Sequence, residues 1–213
     1  MRTYLFDFDG TLVDSMPTYV GLMLRILDEA GILYESDTVK TITPLGFIGT
    51  ADYFRRMGMK ETTEEIVAKM KKYATDAYTY DVPAKKHVVE TLRLLKERGD
   101  ELNVLTASPH TSLDPCLKRL GIFELFTNVW SCEDFGTTKA DPRIYEMAAE
   151  RLGRTVSEVY FLDDNLNAVT TSKKAKMKTV GVFDDSSAEY TEQIKEICDA
   201  YINDFSELPN IDI

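Results

Sequence analysis

Short apolar runs alternate along the chain with segments whose apolar residues recur at helical spacing. The runs are Thr3–Phe8, Glu101–Leu105, Asn128–Ser131, Val159–Leu162 and Thr179–Val182, each of the length of a buried strand. Between them, Ala84–Arg98 sets Val88, Leu92 and Leu95 on one helical face and stops at Gly99. Leu113–Leu120 stops at Gly121 in the same manner. Asp141-Pro142 places a capping residue before a proline, opening a helix over Arg143–Leu152 that closes at Gly153. Strands separated by helices predict right-handed crossovers and a parallel sheet, an α/β fold of Rossmann-like type.

One interval breaks the alternation. From Met16 to about Val82 the pattern is helical, clearest over Thr18–Ala30 and Glu61–Tyr78, and Pro17 and Pro83 bracket it. The pattern predicts a helical cap domain, residues 16–82, inserted into a core made of residues 1–15 and 83–213. A chain of 213 residues is long enough for a core domain plus such an insert.

Composition narrows the partners. A formal charge of −11 argues against nucleic acid and against an anionic membrane surface, since both reward a basic face. It also means that an anionic substrate needs a local cluster of cations. No apolar stretch reaches bilayer-spanning length, and the first apolar run is broken by aspartates at once, unlike a signal peptide. Cys116, Cys132 and Cys198 are odd in number and fit neither a zinc nor a disulfide spacing. The expectation is a cytoplasmic protein with buried, inert thiols, a monomer or weak homodimer that acts on a small molecule.

The chemistry lies at the ends of the strands, where open parallel sheets bind ligands. The stretch "MRTYLFDFDGTLVDS" delivers Asp7 and Asp9 to one side of the first strand, with Gly10 ready to turn the chain. Two anionic carboxylates that close repel unless a cation or a reaction uses them. "LNVLTAS" ends in Thr106, followed by Ala107 and Ser108; "TTKADPRIY" sets Lys139 before a helix; "VYFLDDN" ends in Asp163 and Asp164. Two carboxylate pairs, a hydroxyl and a lysine at one rim suit Mg²⁺-assisted phosphoryl transfer, since Mg²⁺ takes carboxylate, carbonyl and phosphate oxygens. One aspartate can attack phosphorus while its neighbour protonates the leaving oxygen.

"DFDGTLVDS", "LTAS", "KADPRIY" and "FLDDN", in that order, resemble the four motifs of the haloacid dehalogenase (HAD) superfamily, over the whole chain. The helical insert resembles the caps of its phosphoglycolate-phosphatase-like and β-phosphoglucomutase-like members. The resemblance implies Asp7 as nucleophile and Asp9 as general acid/base, with the Asp9 carbonyl on the metal. It implies that Thr106 and Ala107 bind the phosphoryl group and that Lys139 steadies it. Asp164 falls at the family's metal aspartate, and Asp163, where many members have glycine, takes an auxiliary place around the Mg²⁺. Two positions depart from the family: Ala140 follows Lys139 where proline is frequent, and Ala168 stands where a further aspartate usually lies.

The implied activity is hydrolysis of a small phosphomonoester by way of an aspartyl-phosphate. Dehalogenases lack the second carboxylate of the first motif, and Asp9 is present. A sugar phosphomutase is the alternative, but the stretch "TITPLGFIGTADYF" has no phosphate-clamping arginine before Arg55 and Arg56. A catalytically silent binding domain is the remaining reading, and such domains usually lose a motif residue that this chain keeps. Elsewhere, His87 is expected within a helix, His110 near the rim, Trp130 in the sheet packing, and Asp184-Asp185 in a solvated loop.

Overall fold

A computed structural model gives the structure over residues 1–42 and 45–213. Its packing divides the chain into two compact units, Met1–Asp14 with Pro83–Ile213, and Ser15–Val82.

The first unit is a parallel sheet of six strands: β1 Thr3–Phe6, β2 Glu101–Thr106, β3 Asn128–Ser131, β4 Val159–Asp163, β5 Lys178–Val182 and β6 Ala200–Ile202. Their order, β3-β2-β1-β4-β5-β6, makes it the α/β fold read from the sequence. Every residue of β1 and β4 is buried, which is why these strands are continuous apolar runs without alternation. Leu5 and Phe161 pack with Tyr145, Ile144 and Met177 on one side. Tyr4 and Phe6 face the other side, where Phe6 stacks on Phe205 with ring centroids 6.2 Å apart. The order reverses between β2-β1 and β1-β4, so the crevice outside the carboxyl ends of β1 and β4 is the switch point of the sheet.

The helices α5 Val88–Glu97, α6 His110–Arg119, α7 Arg143–Arg151, α8 Leu166–Lys174 and α9 Thr191–Ile197 belong to this unit. Gly99, Gly121 and Gly153 take positive φ after their helices, as C-cap glycines do. Some boundaries differ from expectation for visible reasons. The first strand stops at Phe6 rather than Phe8 because Leu12 and Val13 N–H both donate to Phe8 O, which bends the chain into a tight loop. The helix after the insert starts at Val88, not Ala84. Ala84 bridges to Val13 and Lys85 N–H donates to Leu12 O, so the loop already uses that backbone. His87 therefore precedes α5, in a left-handed conformation (φ 61°), instead of lying inside it.

The second unit contains α1 Met16–Glu29, α2 Thr38–Ile42, α3 Gly46–Arg56 and α4 Thr63–Tyr80. Thr62 and Glu65 form a reciprocal cap at the start of α4. Tyr19 stacks on Phe47 at 5.9 Å, and Glu29 on α1 takes Lys69 and Tyr73 of α4. Thr43 and Pro44, part of the stretch read for a phosphate clamp, lie outside the described residues. Among the described residues no helix is long and apolar enough to cross a membrane.

Candidate active site

Parallel pairing brings Asp7 of the first carboxylate pair to Asp163 and Asp164, while the Asp9 carboxylate accepts from Ser108 Oγ. Phe6 is in register with Leu162, and Asp7 N–H donates to Leu162 O at 2.8 Å, so Asp7 leaves β1 beside the end of β4. Carboxylate oxygens of Asp7, Asp163 and Asp164 lie within 4.8 Å of one another, and all three residues are buried. Lys139, from the loop between β3 and α7, reaches into this group. Its ammonium donates to Asp7 Oδ1 at 2.6 Å and to Asp163 Oδ2 at 2.7 Å. The other Asp163 oxygen accepts from Asn165 N–H at 2.8 Å, so the carboxylate is held on both sides by the protein.

Asp164 is placed by the loop after β1. Thr11 Oγ1 donates to Asp164 Oδ1 at 3.1 Å. Gly10 has φ +75° and passes so close that a Cβ there would lie 2.6 Å from Asp164 Oδ1. Only glycine meets both demands cheaply. Ala168, which stands where the family usually has a further aspartate, is buried in the core, and its carbonyl lies 3.2 Å from Tyr145 Oη. The same hydroxyl lies 3.1 Å from Lys139 O and steadies the lysine's backbone.

The second strand contributes as expected in position. Thr106 ends β2 and is buried, and its Oγ1 accepts from Ser108 N–H at 3.1 Å. Ser108 Oγ donates to Asp9 Oδ2, which links the β2 loop to the first motif. Ala107 is exposed and lines a cavity of about 360 Å³ with Cys132, Glu133, Gly136, Thr137 and Thr138. Asp164 lines another of about 260 Å³ with Asn165, Asn167, Ser186, Ser187 and Tyr190.

The electrostatics are dominated by burial and, after it, by the crowding of like charges. Burial pushes the Asp7 carboxyl up to about 7 against the pull of Lys139, with Asp163 and Asp9 adding to the rise. Burial, Asp163 and Asp7 together hold the Asp164 carboxyl well above its ordinary value. Burial alone would lower Lys139, but Asp163 and Asp7 more than offset it and keep the ammonium firmly protonated. Three buried carboxylates face one ammonium, an excess of negative charge made of hard oxygen donors. Such a set fits Mg²⁺, which would relieve the repulsion.

Outside these motifs, Asp184 departs from the expected solvated loop. Asp184 is not solvated: it is 5% exposed and its Oδ2 pairs with Lys85 Nζ at 2.8 Å. Burial would raise its carboxyl, but Lys85 and Ser186 hold it below the usual range. Lys85 carried no signal beyond its place where the chain re-enters the core. His110 does lie at the start of α6, but Asp114 and Asp134 take its two ring nitrogens at 2.8 and 2.9 Å. All three thiols are pushed above their ordinary pKa, each chiefly by burial, which suits inert packing.

Residues 4–182 match the sequence family described as haloacid dehalogenase-like hydrolase. Pyrophosphatase PpaX of Bacillus velezensis is 31% identical over 179 residues, covering 84% of this chain and 81% of that protein. Among solved structures, a candidate β-phosphoglucomutase of Thermotoga maritima shares the fold with a TM-score of 0.85 and 21% identity, over 99% of this chain and 97% of that one. A candidate phosphoglycolate phosphatase of Haemophilus somnus 129pt aligns with a TM-score of 0.80 and 20% identity, over 98% and 96%.

Proposed function

The chain belongs to the haloacid dehalogenase-like hydrolase family, and from that premise we propose that it is a Mg²⁺-dependent phosphatase of small phosphorylated metabolites. One observation carries the reading: Lys139 bridges Asp7 and Asp163 where β1 and β4 end, beside Asp164. Asp7 and Asp164, with the Asp9 backbone carbonyl, would hold the metal, and Asp163 would sit behind them, fixing Lys139. Bound there, Mg²⁺ would neutralise charge on the phosphoryl oxygens and on the carboxylates around them.

In this reading an Asp7 oxygen attacks phosphorus as the ester oxygen departs, and an aspartyl-phosphate forms on Asp7. Asp9 gives its proton to the leaving oxygen and then takes one from the water that cleaves the intermediate. Ser108 Oγ orients Asp9 for both steps. Thr106 Oγ1 and the backbone at Ala107 receive the transferring oxygens, and Lys139 balances their charge. Inorganic pyrophosphate belongs among the candidate substrates because the relative from B. velezensis is a pyrophosphatase.

The test is phosphate release from a panel of sugar phosphates, phosphoglycolate, nucleotides and pyrophosphate, with and without Mg²⁺. Release that needs Mg²⁺ and vanishes in Asp7→Asn supports the reading. No release from any member of the panel would sink it and leave the binding-domain reading standing.

A further inference from the structure

Lys85 lies outside every motif, yet all three of its ammonium protons are spoken for. Nζ donates to Gly10 O at 2.6 Å, to Phe183 O at 2.5 Å and to Asp184 Oδ2 at 2.8 Å. Its side chain is only 17% exposed. Gly10 belongs to the loop after β1, and Phe183 and Asp184 to the loop after β5. In the sheet, β4 runs between β1 and β5. The lysine therefore spans the exit of β4, where Asp163 and Asp164 stand, and fastens the loops on either side of it.

What it fastens is the turn against Asp164. Gly10 N–H donates to Val13 O at 2.9 Å and Gly10 O accepts from Lys85, so the peptide planes on both sides of Gly10 are fixed. The first of those planes carries the Asp9 carbonyl. The next residue, Thr11, donates to Asp164 Oδ1. Asp184 is locked as well, since its Oδ1 accepts from Ser186 N–H and Oγ at 3.0 and 2.6 Å. Two carbonyls and a carboxylate that converge on one point repel once the cation between them is gone. An apolar side chain at position 85 would let the loops splay.

We propose that Lys85 is a positioning residue: its ammonium holds the Asp9–Gly10–Thr11 turn against Asp164 and so sets the metal-binding geometry. The inference rests on the phosphatase reading and adds a residue that does not touch substrate. Asp184 is the counter-charge that makes a buried ammonium tolerable there, and it is secondary. Lys85→Met leaves Asp184 unpaired near Asp164 and destabilises the fold as well as the turn. Adding Asp184→Asn removes the stranded charge but does not restore the hold on Gly10.

The test compares wild type, Lys85→Met, Asp184→Asn and the double variant by Mg²⁺ titration calorimetry, phosphate-release kinetics and thermal melting. The double variant is expected to regain much of the melting temperature lost in Lys85→Met. Its kcat should stay about tenfold to a hundredfold down, in keeping with a small misplacement of reacting groups, with Mg²⁺ affinity still weakened. Asp184→Asn alone, which keeps the bond to Gly10 O, should lose less of both than Lys85→Met. Recovery of kcat and Mg²⁺ affinity in step with stability would overturn the positioning role. If Lys85→Met does not fold, Lys85→Arg takes its place, since a planar guanidinium cannot meet three acceptors arranged for an ammonium. Wild-type Mg²⁺ affinity and kcat in that variant would equally overturn the proposal. A wild type that neither binds Mg²⁺ nor releases phosphate defeats the phosphatase reading itself, and this inference with it. An active wild type with an equally active Lys85→Met defeats only the inference.

Discussion

Gly10 and Asp9 show how much of the chemistry is set atom by atom. Gly10→Ala adds a methyl group 2.6 Å from a carboxylate oxygen and forces an alanine to φ +75°. The left-handed backbone alone costs about 1–2 kcal/mol, and the contact adds to it, so calorimetry should report a lower melting temperature and weaker Mg²⁺ binding. Asp9→Asn should lose about 10²–10⁴-fold in turnover of alkyl phosphates, the usual worth of a general acid. Aryl phosphates and pyrophosphate, whose leaving groups depart more readily unprotonated, should lose less in the phosphorylation step. Equal losses in single-turnover kinetics on both classes would contradict the assignment. His110 offers a pH test. Hydrogen bonds to Asp114 and then Asp134 raise its pKa above 6.5 in the folded state. A raised folded value stabilises below the unfolded pKa, and that contribution is lost as pH rises through the folded one. Denaturation of His110→Gln should therefore match wild type well above that value and fall short of it near pH 6, the unfolded range of histidine. At this scale the motif residues were legible because their types and order are unusual. Asp184 and Lys85 were not, since a lone lysine and an acidic pair read as surface until the fold brings them together.

Among the elements, the strands that carry the site were the plainest in the sequence. Both sheet faces are covered, so β1 and β4 are almost wholly apolar up to their ends, and β2 admits Asn103 in mid-strand with its amide donating to Tyr4 O at 3.2 Å. β6, Ala200–Ile202, escaped notice because three residues give no run to recognise; register with Val180–Val182 makes it a strand. Its packing explains Gly181 in β5. A Cβ there would meet Ile194 Cγ2 at 2.5 Å and Tyr201 Cδ2 at 2.6 Å. Gly181→Ala should cost about 1–3 kcal/mol of stability by overpacking, measured by denaturant unfolding. Because β5 neighbours β4 at Asp163, Mg²⁺ affinity should weaken too. The start of α5 was misplaced for the opposite reason: helical periodicity extends back through Ala84, but the loop after β1 claims that backbone.

For the molecule as a whole, the sequence separated a helical stretch from an α/β one, and the packing divides at Ser15 and Val82. The chain has a formal charge of −11, and three of its carboxylates are buried at one point. The central claim is that Asp7 carries the phosphoryl group covalently, and it is tested most directly in Asp9→Asn. With an activated aryl phosphate and Mg²⁺, the acid is not needed to form the intermediate, but the base is needed to break it down. Rapid quenching followed by intact-mass and peptide analysis should find phosphate accumulated on Asp7, and none in Asp7→Asn/Asp9→Asn. Turnover of the ester with no covalent phosphate in Asp9→Asn, or phosphate on a residue other than Asp7, would contradict the account.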